Sequence, residues 1–147
     1  MMRSATNAGT YRLAVLLALL AAVACPRLAA AEIEFTPLTR AGHRTAISAD
    51  LFIVYAFAER PKMGTVILKV QVYDKRGNKV TPIAIMGRSG MPSMPGHHDS
   101  GDVAFKLSRK KDYLLPVDVV MPGDWEVRLT FIKDGKAFFH GRVNFDV

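Results

Sequence analysis

The chain has 147 residues, room for one domain, with 20 Lys and Arg against 13 Asp and Glu, for a formal charge of +7. Its single cysteine excludes an internal disulfide framework. The basic residues are scattered rather than clustered with aromatic platforms, which argues against nucleic acid as a partner.

The first 31 residues read as a secretory leader. Arg3 and Arg12 precede an uncharged apolar run from Leu13 to Ala24, and Ala29 and Ala31 place small side chains before Glu32. The run is short of the roughly 20 residues a bilayer-spanning helix needs, so cleavage after Ala31 is expected rather than a retained anchor. The alternative is a lipoprotein. Ala22-Val23-Ala24-Cys25 loosely matches a lipobox, although Leu is absent three residues before Cys25 and Pro26 follows it. Cleavage at either place predicts a periplasmic or secreted chain with no membrane span left. Loss of Arg3, Arg12 and Arg27 lowers the charge from +7 to +4, and cleavage after Ala31 leaves no thiol.

Residues 32–48 are polar and irregular, and are expected to form an arm or a loosely placed first strand. From 49 to 147 the pattern is period two, which belongs to strands. Leu51 to Ala58 is continuously apolar, as in a strand covered on both faces. Val66, Leu68, Val70 and Val72 share one face. Val103, Phe105 and Leu107 predict a shorter strand of the same type. Tyr113 to Val120 contains Pro116, which places it at an edge or a bulge. Trp125, Val127, Leu129 and Phe131 point inward on one strand, and Phe139, Gly141, Val143, Phe145 and Val147 on the last. Asp74-Lys75-Arg76-Gly77-Asn78, Pro122-Gly123 and Asp134-Gly135 supply turns, the last suited to a type I′ hairpin. The expected fold is all-β: an immunoglobulin-like antiparallel sandwich of about seven strands.

The segment Met86 to Asp99 concentrates chemistry. It holds Met91, Met94, His97 and His98 among glycines and two prolines. Thioether and imidazole are ligands for copper, Cu(I) more than Cu(II). If Met91-Pro92-Ser93-Met94 runs as polyproline II, its two thioethers share a face but stand about 9 Å apart. The competing account makes Met91 and Met94 caps on the open end of the core, with His97 and His98 as solvated loop residues. His43 and His140 read as surface residues, and Met121 as core. No Gly-x-Ser-x-Gly elbow, thiol or paired carboxylate supports catalysis, and the carboxylates read as mostly single and outward-facing. The chain is therefore not expected to be an enzyme.

Met91-Pro-Ser-Met94-Pro-Gly-His97, the segment Met121-Pro-Gly-Asp-Trp125-Glu-Val-Arg-Leu, the hairpin from Val70 to Val80 and the terminal Asn144-Phe145-Asp146-Val147 together resemble the YtkA-like/FixH-like family of periplasmic β-sandwich domains. The resemblance covers roughly residues 50 to 147. It implies an immunoglobulin-like sandwich without catalysis, and copper handling through Met91, Met94 and His97. The implied partner is a copper-handling or oxidase-assembly protein. The alternative function is a metal-free protein-interaction domain of a cell-envelope complex.

Overall fold

A computed structural model describes residues 31–147. The expected leader, except for Ala31, lies outside the described residues, with Cys25 and the lipobox alternative. Among those described, no helix is long and apolar enough to cross a membrane.

Two five-stranded sheets face each other across one core. The first has the order β1-β10-β9-β5-β6, and the second β2-β3-β4-β8-β7. Six strands are long: β3 (Leu51–Phe57), β4 (Gly64–Asp74), β5 (Ala84–Gly90), β8 (Tyr113–Val119), β9 (Asp124–Lys133) and β10 (Lys136–Asp146). Four have two residues each: β1 (Thr36–Pro37), β2 (Thr45–Ala46), β6 (Val103–Ala104) and β7 (Lys106–Leu107). All pairings are antiparallel except β1 on β10. The all-β sandwich is thus present, built among the described residues from ten strands rather than about seven because short pieces finish the edges.

The alternation in sequence fixes the inward faces. Val66, Leu68, Val70 and Val72 of β4 are buried, and opposite them Trp125, Val127, Leu129 and Phe131 of β9 are 1% exposed or less. Burying such side chains contributes about 1.5–3 kcal/mol each. The turn from β9 to β10 has positive φ at Asp134 (51°) and Gly135 (75°), as a type I′ turn requires. Pro116 lies where β8 is the free edge of its sheet, since β7 covers only Tyr113 and Leu114. The missing N–H of proline costs least there.

Three local expectations need correction. Val103, Phe105 and Leu107 do not form one strand. β6 joins β5 in one sheet and β7 joins β8 in the other, so the chain changes sheets at Phe105. Phe105 is buried, whereas Val103 and Leu107 are exposed. A plain alternation cannot show that a strand is interrupted at its middle residue. The Asp74–Asn78 turn is followed by a single bridge, Tyr73 to Lys79, after which the chain crosses to the other sheet. Asp74 holds that turn through its carboxylate, which accepts from the Arg76 and Asn78 backbone N–H groups. The arm is also docked. Leu38 and Ile47 enter the core, with β1 on one sheet and β2 on the other.

Candidate functional site

The Met/His segment leaves β5 at Gly90 and closes one end of the sandwich. Ser89 and Ser100 make its stem: the Ser89 N–H donates to Ser100 Oγ at 2.8 Å, and the Ser100 N–H to the Ser89 carbonyl at 2.9 Å. Arg88 forks onto Asp99, with Nε to Oδ1 at 2.8 Å and Nη2 to Oδ2 at 2.5 Å. That hydrogen-bonded guanidinium holds the Asp99 carboxyl below the usual carboxylate range. On the far side, the Ser93 N–H donates to Asp124 at 3.0 Å and the Ser93 hydroxyl donates to the same carboxylate. The segment is thereby tied to the start of β9.

Inside this frame the chain turns twice. The Met94 N–H donates to the Met91 carbonyl and the His97 N–H to the Met94 carbonyl, each at 3.0 Å. Polyproline II is therefore not adopted. Pro92 and Pro95 each sit second in a four-residue turn, the position their fixed φ suits, and Gly96 at φ 80° supplies the third residue of a type II turn. Two successive turns draw the Cα atoms of Met91, Met94 and His97 to within about 7 Å from one to the next.

The four candidate side chains have different surroundings. Met91 is 5% exposed and belongs to the core, with its methyl group against Gly123. Met94 is half-buried against the same core. His97 and His98 are exposed. The His98 ring lies 6.5 Å from the Trp125 ring, tilted by 39°, and its backbone has φ 58°. Positive φ is uncommon for a residue with a Cβ. Met121, expected in the core, is half-buried against it, and its carbonyl accepts from the Trp125 indole N–H at 3.1 Å. His43 is exposed. His140 is not a plain surface residue. It is half-buried, edge-on to Phe35 at 5.4 Å, with Nδ1 at 3.2 Å from Thr130 Oγ1.

Below the loop, on the outer face of the β10-β9-β5 sheet, lies a cavity of about 320 Å³. Met91 and His97 reach it from the loop, and Arg88, Arg128, Arg142 and Glu126 from the strands. The sequence reading missed this feature. Arg88 pairs with Arg128 across β5 and β9, and Arg128 with Arg142 across β9 and β10, so three guanidinium groups stand in one row. Glu126, on the outer face as expected, is nevertheless only 7% exposed. Its Oε1 accepts from Arg128 Nε at 2.6 Å, while Oε2 is 3.8 Å from Arg142 Nη1. Each of these residues looks like an ordinary outward charge in its own strand. Only the strand order brings them together.

No family model and no curated protein matches the chain. A solved structure does: FetP of uropathogenic Escherichia coli strain F11, recombinantly expressed in the periplasm of E. coli. The two share 9% sequence identity with a TM-score of 0.50, over 73% of this chain and 93% of that one. At that identity the likeness concerns architecture, and the chain shares its two-sheet β-sandwich with FetP.

Proposed function

We propose that this chain is an exported, non-enzymatic β-sandwich module of the YtkA-like/FixH-like kind that binds Cu(I) through its Met/His loop. Met94 and His97 are the outer donors, with Met91 beneath them and His98 alongside. The observation carrying this reading is the pair of successive turns, which gathers residues 91, 94 and 97 where an extended loop would separate them. The donors this loop offers are two thioethers, of Met91 and Met94, beside the imidazoles of His97 and His98. Thioethers favour Cu(I) over zinc. Export is supported by the leader pattern and periplasmic residence by the same pattern. The non-catalytic reading is supported by the loop hydroxyls, since Ser93 and Ser100 are engaged with Asp124 and the Gly101 carbonyl in closing the loop. The partner that fits this role is a copper-handling or oxidase-assembly protein of the envelope.

A competition assay with a Cu(I) chelator under reducing conditions tests the proposal. Wild type should retain one Cu(I), and Met94→Ala/His97→Ala should lose it while still unfolding cooperatively, with the modest drop in melting temperature that truncating half-buried Met94 brings. Equal and weak retention by both proteins rejects it. Burial of Met91 favours a second reading, a metal-free interaction module in which the methionines only seal the core. That is the reading left standing if copper is not retained.

A further inference from the structure

We propose that the cavity beneath the loop is a binding site for a small oxyanion, a carboxylate or a phosphate, held by Arg128 and Arg142. This goes beyond the copper reading and does not depend on it.

The first ground is the register. Like charges placed directly opposite on neighbouring strands destabilise a sheet, yet Arg88, Arg128 and Arg142 occupy adjoining positions on three strands. The second ground is the charge balance within the row. Asp99 takes the whole fork of Arg88, so that pair neutralises itself. Among the described residues, Glu126 is the carboxylate that forms ion pairs with Arg128 and Arg142. One guanidinium charge is therefore left without a counter-charge at the cavity wall.

The third ground is an unmet hydrogen-bonding demand. Arg142 Nε has no hydrogen-bond partner, and the nearest carboxylate oxygen of Glu126 stands 3.8 Å from Arg142 Nη1, beyond hydrogen-bond reach. The Arg142 side chain is 42% exposed, so its terminal Nη groups are open to a ligand. An oxyanion that accepts from those groups supplies what Glu126 does not. Arg128 is held for the same task. Its Nε is fixed by Glu126 and its guanidinium carbon lies 5.4 Å from the centre of the Phe35 ring. Planar guanidinium groups match two oxygens of a carboxylate or phosphate at once. The cavity, about 320 Å³, is at the lower end of the range for small-molecule sites. Glu126 then has two roles: it orients Arg128 and it sets a ceiling on anion affinity by competing for the same donors.

Titration calorimetry on the purified protein, with metal chelator present, tests the site using inorganic phosphate and succinate against chloride at matched ionic strength. At least one of the two should bind saturably at one per chain. Binding by phosphate alone identifies a tetrahedral oxyanion, and by succinate alone a carboxylate. Arg142→Gln should weaken binding about tenfold, the loss expected for a charge-assisted hydrogen bond. Glu126→Gln should tighten it severalfold, because the competing charge goes while an acceptor for Arg128 remains. Arg76→Gln, in the exposed Asp74–Asn78 turn, should change nothing. Melting curves establish that each variant is folded, and if Arg142→Gln is not, Glu126→Gln alone decides. Neither anion exceeding chloride, or an affinity that Glu126→Gln leaves unchanged or lowers, overturns the proposal. Because chelator is present throughout, loss of the copper reading would leave this result intact.

Discussion

The Met91 methyl carbon stands 2.8 Å from the place a Cβ on Gly123 would take. The Met/His loop and the turn before β9 thus meet closely at Gly123. Gly123 also has φ 138° and exchanges backbone hydrogen bonds with Val147, at 2.8 and 3.1 Å. Gly123→Ala should cost about 1–3 kcal/mol, mostly from backbone strain at φ 138°, with a smaller steric part against the Met91 methyl. In the Met91→Ala background the steric part should vanish, so the two substitutions should couple in a double-mutant cycle read by urea unfolding. Strict additivity would show that Met91 does not rest on Gly123.

Trp125 is 1% exposed, and its indole N–H is satisfied by the Met121 carbonyl. Trp125→Ala should destabilise by about 3–5 kcal/mol, and Trp125→Phe by less. A melting temperature for the alanine variant within a few degrees of wild type would place the ring at the surface instead.

Much of this architecture was legible because a period of two is a direct imprint of a half-buried strand. The faces of β4 and β9 and the hairpin at Asp134-Gly135 follow from it. What stayed hidden depends on partners distant in sequence. Phe105 fills space beside Gly87 of β5, and nothing around residue 105 announces that the chain changes sheets there. Leu38 and Ile47 were single apolar residues in a polar arm, too few to make a pattern, and they are nevertheless anchors.

The site divides in the same way. The unusual composition of residues 86 to 99 marked the loop, but composition does not give depth. Met91 sits in the core while His97, six residues later, is exposed. The prolines suggested an extended run, and the hydrogen bonds from Met94 and His97 turned it instead. The arginine row was invisible because Arg88, Arg128 and Arg142 lie far apart in sequence and meet only through strand order.

Acid sensitivity should centre on Asp112. Burial pushes its carboxyl up, but hydrogen bonds from Lys79 and Gln71, with the Lys79 charge, outweigh that and hold it below the ordinary value. A carboxylate depressed in the folded state stabilises above its unfolded pKa, near 4. That stability is lost as pH falls through the folded value. The folded protein should therefore weaken below about pH 4, and Asp112→Asn should cost about 1.5–3 kcal/mol at neutral pH but little in acid. Unfolding curves taken from pH 7 into progressively stronger acid check this. A penalty that never shrinks would assign the effect to packing rather than charge.

Gly87 offers the sharpest test of how the sheets meet. A Cβ there would stand 2.5 Å from Leu115 Cδ2 and 2.8 Å from Phe105 Cε2, the first on the facing sheet and the second on the segment that changes sheets. Both neighbours are buried, so neither can swing into solvent. Overpacking a core in this way typically costs about 1–3 kcal/mol, and two simultaneous contacts put Gly87→Ala at the upper end. Shortening one neighbour should recover part of the loss. Leu115→Ala alone opens a cavity worth about 2–5 kcal/mol, and the added methyl of Gly87→Ala partly refills it. The double variant should accordingly be more stable than the sum of the single losses predicts. Urea unfolding of the four proteins reads the coupling. A double variant no better than additive would mean that β5 and β8 do not approach across the core at this point.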